Sequence, residues 1–112
     1  MPGTTKAAYT RYALAAALHL GQLVRLKRIE HRITSEEFAD RLGISRGTVQ
    51  RLERGDPKVA LGIAFEACAL LGIPLFEEER ARLTARIQDA NQRLALLPKA
   101  ARARAVVLDD DF

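Results

Sequence analysis

Residues 34–54 read TSEEFADRLGISRGTVQRLER. Two short helices joined by one tight turn account for every special residue in this stretch. Thr34 is suited to cap the first helix, and Glu37, three positions on, completes a capping box. Ile33 before the cap and Phe38 at the fourth helical position form a hydrophobic staple. The second helix repeats the device, with Ser45 as cap and Ile44–Val49 as staple. Gly43 stands between them, where the first helix must stop in a left-handed conformation that glycine adopts at little cost.

Ala39 is small where the two helices would cross, and Leu42, Val49 and Leu52 point inward. Small, glycine and apolar positions at these spacings specify a helix-turn-helix. At about 100° per residue, with Val49 and Leu52 inward, the opposite face of the second helix carries Gly47, Gln50, Arg51 and Arg54, flanked by Arg46. Arginine and glutamine carry the forked groups that read guanine and adenine edges in a major groove. Gly47 leaves no side chain to hold the backbone off a ligand. A merely solvated arginine face is the bland alternative; inside a helix-turn-helix, DNA is the better reading.

The chain has 112 residues and a net charge of +4, enough for one domain with a modest core plus extensions. Its charge is uneven. Residues 1–58 hold 11 Lys/Arg against 6 Asp/Glu, and residues 59–112 hold 7 against 8. The basic half is the half with the motif, as a polyanion-binding face requires. A single cysteine, Cys68, excludes an internal disulfide and fits a reducing cytoplasm. No membrane span or signal peptide is expected.

Outside the motif, residues 1–4 look frayed and a helix is expected from Thr5 to Arg32. Gly21 inside it implies a close helix contact or a bend. Leu20, Leu23, Val24 and Ile29 suit a core face. Ala7 to Leu18 exceeds a minimal domain and serves either a dimer or its own subunit as a cover. After the motif, Gly55-Asp56-Pro57 turns the chain, and Lys58 follows near where a DNA backbone would pass. A helix from Val59 to Leu71, closed by Gly72, has Ile63, Ala67, Leu70 and Leu71 as core and Cys68 as a buried thiol. Glu77, Glu78 and Glu79 match the positive end of a final helix, Phe76 to Leu97. Leu83, Ile87, Ala90, Leu94 and Leu97 repeat along it at four-three spacing, a narrow seam for a partner helix, either in a two-fold dimer or in the first helix of the same chain. Pro98 stops it. The tail KAARARAVVLDDDF is basic, then apolar, then acidic. It reads as disordered with one short strand at 105–108, or as a docking peptide.

These residues resemble a known family. Leu20-Gly21, Val24-Arg25, Arg28, Thr34 to Ala39, Leu42 to Ser45, Val49 and Leu52 to Gly55 are similar to the Cro/phage-repressor, or XRE, helix-turn-helix family over about Leu20 to Ile73. Gly55 to Gly62, Phe65-Glu66-Ala67, Leu71 to Phe76 and Asp109 to Phe112 resemble, more narrowly, HipB-type antitoxins. Those bind HipA-type serine/threonine kinase toxins and repress their own operon. The resemblance implies base contacts from Arg46, Gly47, Gln50 and Arg51. It implies phosphate contacts from Thr34 and Ser35 at a helix N-terminus; Ser45, Thr48, Arg54 and Lys58 are further candidates for phosphate contact. Arg28 and Glu53 match a pair that forms a structural salt bridge in similar domains. Ser35 departs from the commonest pattern, which has glutamine there.

The expectation is therefore an all-α protein: a five-helix, phage-repressor-like domain with an extended N-terminal helix, a C-terminal dimerisation helix and a flexible tail. Its parts are a helical extension (1–19), the DNA-binding domain (20–74), the dimerisation helix (75–98) and the tail (99–112). The expected function is a homodimeric repressor on an inverted-repeat operator, acting as an antitoxin with a HipA-like kinase partner. A stand-alone or phage-type regulator and a non-DNA interaction module are the alternatives. An enzyme is not expected, and neither is a cofactor. His19 and His31 lie roughly 18 Å apart along a helix, one cysteine makes no zinc site, and Gly43 to Gly47 lacks the lysine of a phosphate-binding loop.

Overall fold

The computed structural model describes residues 8–76 and 80–98. All five regular elements among them are helices: α1 (Arg11–Glu30), α2 (Ser35–Leu42), α3 (Arg46–Glu53), α4 (Leu61–Leu71) and α5 (Arg80–Ala95). They fall into two compact units, Met1–Ile73 with α1 to α4 and Pro74–Phe112 with α5. In the first unit α1 packs on α3 and α4, and α2 packs on α3 and α4. The core between them is Val24, Phe38, Ala39, Val49, Leu52, Ala64, Ala67, Cys68 and Leu71.

Helix ends follow the side chains that can cap them. Thr10, not Thr5, starts α1: its hydroxyl accepts the Ala13 N–H at 3.1 Å, and residues 8–10 are non-helical. The other end closes at Glu30 rather than Arg32. Arg32 takes a left-handed conformation (φ 58°), and the Arg28 carbonyl accepts from Ile33 at 3.1 Å. A non-glycine residue there costs about 1 kcal/mol; the Arg28 guanidinium, bonded to the Ile33 carbonyl at 2.9 Å, helps to fix the turn. The α2 capping box forms as read, with Thr34 and Glu37 exchanging two hydrogen bonds of 3.1 Å. Gly43 closes α2 with φ 70°.

Gly21 marks a close contact, not a bend. It is buried in an unbroken α1, and a Cβ there would meet the Leu52 carbonyl oxygen and lie 2.7 Å from that of Glu53. Gly55 is pressed the same way, against the backbone of Ala17 and Leu18. That end of α1 therefore covers its own subunit, while Arg11 to Ala16 is exposed.

Two expected core residues face out. Ile29 is 54% exposed and Leu70 46%, because the inner stripes run through Gly21 and Val24 on α1 and through Ala64, Ala67, Cys68 and Leu71 on α4. Leu20, Leu23, Leu42 and Ile63 are half-buried. The α4 helix starts two residues later than expected, after Ala60, which offers no side-chain cap. Phe76 is not helical (φ 57°) and α5 begins at Arg80. The Glu77–Glu79 dipole match and the tail, with its short strand or docking segment, lie outside the described residues.

Gly21→Ala is expected to lower unfolding free energy by about 2–3 kcal/mol, since the obstructing atoms are main-chain carbonyls that cannot swing away. Gly62→Ala, where an added Cβ meets nothing within 4 Å, is expected to raise it by about 0.5–1 kcal/mol. Urea unfolding followed by circular dichroism checks both.

Candidate nucleic-acid interface

The sequence 45–54 makes one face of α3 apolar and the other polar, and the fold presents the polar one. Val49 and Leu52 are buried, while Arg46, Gly47, Gln50 and Arg54 are exposed. Arg46, Gln50 and Arg54 are four residues apart and make a row along the helix, about 12 Å long at 1.5 Å per residue. Among the described residues neither Arg46 nor Arg54 has an ion-pair partner.

Arg51 differs. Its Nε donates to the Asp56 carboxylate at 2.8 Å, and it is half-buried. The same carboxylate accepts the Lys58 backbone N–H at 2.8 Å, so Asp56 ties the end of α3 to the turn that follows. The Arg51 guanidinium, with the Lys58 N–H second, holds the Asp56 carboxyl below the usual carboxylate range. Only the Nε of Arg51 is used in this bond, so its two terminal nitrogens remain available as donors.

The hydroxyls proposed for phosphate are also busy with structure. Thr34 sits in the capping box, and its N–H is the first cause of the lowered Glu37 carboxyl. Ser45 Oγ accepts the Thr48 N–H at 3.1 Å and lies 2.9 Å from the Thr48 hydroxyl. Ser35 is half-buried in the first turn of α2, and Lys58 is exposed. The Leu83, Ile87, Ala90, Leu94 and Leu97 seam is on the second unit: Leu83 is half-buried and the rest are exposed, with Ile87 55% accessible.

Arg28 and Glu53 are joined by two parallel bonds, 2.6 Å from Nε and 3.0 Å from Nη2. Their side chains are 12% and 8% exposed. The carboxylate raises the Arg28 pKa above its ordinary value against the opposing effect of burial. This pair fastens α3 to α1 beside the exposed row, sharing a cleft with Gln50 and Arg54.

A polar cleft of about 320 Å³ opens beside α3, lined by Arg25, Arg28, Ser35, Gln50, Glu53 and Arg54. Arg25 was missing from the site read out of the sequence. The available signal was its spacing, one helical turn before Arg28. No group of three His, Cys, Asp or Glu side chains suited to a metal ion occurs among the described residues. No helix among them is long and apolar enough to cross a membrane.

A capped helix, a glycine turn and a second capped helix with a basic outer row define a recognisable unit, and the helix-turn-helix family model matches residues 24–77. Over those residues the chain is similar to helix-turn-helix domains of the XRE type. Comparison with curated proteins and with solved structures gave no match. The match supports a DNA-binding role for this domain, and α3 occupies the second-helix position, the one that enters a major groove in this motif.

Glu53→Gln is expected to cost about 2–3 kcal/mol in urea unfolding, because it leaves a largely buried guanidinium without its counter-charge. Acid titration checks the turn. The folded-state pKa of Asp56 is depressed, so its contribution is complete above the unfolded value near 3.9 and is lost as pH falls through the lower folded value. Asp56→Asn is expected to flatten this acid limb in part, with Glu37, which shifts in the same direction, supplying the remainder.

Proposed function

We propose that the protein is a sequence-specific transcriptional repressor that binds an inverted-repeat operator as a homodimer. The observation that carries this reading is the Arg46–Gln50–Arg54 row: exposed, its two arginines without ion-pair partners among the described residues, and on a helix whose opposite face is locked into the core. Arg46, Gly47, Gln50 and the free nitrogens of Arg51 supply base contacts. Thr34, Ser35, Ser45, Thr48, Arg54 and Lys58 supply phosphate contacts, the first four from the N-terminal turns of α2 and α3. Repression follows from occupying an operator that overlaps a promoter.

Two copies joined along α5 would set recognition helices in successive major grooves, about 34 Å apart. What supports this pairing is the apolar seam and the groove of about 510 Å³ along it, lined by Phe76, Leu83, Arg86, Ile87 and Ala90. The antitoxin role rests on the resemblance of residues 55–76 and 109–112 to HipB-type proteins. In that role a HipA-like kinase joins the complex and is held inactive; a stand-alone regulator has the same DNA chemistry without the kinase.

Arg46→Ala and Arg51→Ala are each expected to weaken operator binding by about 1–3 kcal/mol and to relax preference at one base pair. Selection from a random duplex library followed by anisotropy titration measures both effects. Wild-type affinity and preference in both variants would overturn the recognition-helix assignment. Ile87→Asp with Leu94→Asp is expected to convert a dimer to a monomer in sedimentation velocity. Co-expression with the product of the adjacent reading frame, with and without residues 99–112, is expected to co-purify a kinase; its absence selects the stand-alone regulator.

A further inference from the structure

The cleft beside α3 gathers more positive charge than the fold consumes. Of its two acid–base partners, Arg28 and Glu53 neutralise each other through the paired bonds already described. Arg25 and Arg54 remain. Both are exposed, and neither has an ion-pair partner among the described residues. Ser35 and Gln50 add uncharged donors at the same cleft. The capping box returns the Glu37 carboxylate to the Thr34 N–H, and the N–H groups of Ser35 and Glu36 belong to the first helical turn, which has no intrahelical acceptor for them.

Three elements thus direct donors at one small space with two uncompensated guanidinium groups, the chemistry of an oxyanion seat. Gln50 and Arg54 also belong to the exposed row of α3. A duplex lying along that row would carry its sugar–phosphate edge past the mouth of the cleft.

We propose that this cleft seats one backbone phosphate of duplex DNA, gripped by Arg25 from α1 and by Arg54 from the end of α3. The proposal rests on the operator-binding reading and adds Arg25 to it. Its mechanical consequence is register. Because α1 and α3 are held together at Gly21 and by Arg28–Glu53, a phosphate gripped from both sets the depth at which α3 enters the groove, without reading sequence.

The test uses the full chain and the variants Arg25→Ala, Arg25→Lys and Arg46→Ala, titrated with a selected operator and a random-sequence duplex over a range of salt. Arg25 is exposed, so an unchanged thermal transition is the expected control. Arg25→Ala is expected to weaken binding to both duplexes by about tenfold and to lower the slope of log affinity against log salt by about one. Arg25→Lys should retain most of that slope. A series of single methylphosphonate linkages should contain one position that weakens the wild type and leaves Arg25→Ala unaffected. Wild-type affinity and slope for Arg25→Ala, alongside an impaired Arg46→Ala, overturns the seat and leaves the operator reading standing. Failure of the wild type to bind either duplex overturns both. Inorganic phosphate that competes, beyond a chloride control of equal ionic strength, with the wild type but not with Arg25→Ala assigns the site to free phosphate and overturns the duplex assignment.

Discussion

The closeness of α3 to α1 is the constraint on which the rest of the molecule depends. At Gly21 the last carbonyls of α3 approach the α1 backbone so nearly that no side chain fits. Gly55 extends the contact onto Ala17 and Leu18, and the Arg28–Glu53 pair fastens the same two helices from the side. A carboxylate and a guanidinium this sheltered are costly to desolvate, and their hydrogen bonds chiefly offset that penalty. What they add is direction: only one placement of α3 satisfies both groups. The exposed row of α3 is held in one orientation against α1 for that reason.

Charge is divided between two tasks along this helix. Glu53 and Arg51 are engaged by Arg28 and Asp56, which fix the helix and the turn after it. Arg46, Gln50 and Arg54 are left to solvent. A helix-turn-helix that used all its arginines internally would keep the fold and lose the ligand. One that used none would present an ill-aimed surface. The mixture here, on eight helical residues and their cap, serves both needs.

The motif was legible in the sequence because its signals are local. A capping box, a glycine at a left-handed position and two apolar positions three apart each act within one or two turns, and all recur in the structure. Ile29 and Leu70 face outward despite their apolar character, because small residues, Gly21, Ala64 and Ala67, bring the backbones close and turn the larger neighbours outward. The end of α1 at Glu30 is not legible in the sequence, since a left-handed arginine carries no sequence mark. The candidate site was legible in its α3 part and not in its α1 part. The spacing from Arg28 puts Arg25 on the same stretch of α1, but its place in a cleft with Ser35 and Arg54 exists only once α1 has docked. The Arg51–Asp56 bond, though five residues in span, likewise depends on the turn after α3.

Cys68 lies wholly within the packed layer of α4, and burial pushes its thiol pKa upward. The chain's sole sulfhydryl is thus both hidden and protonated, and electrophiles reach it only when the first unit opens. Nature has left a stopwatch in the domain: the pace at which a thiol reagent labels the native protein counts those openings.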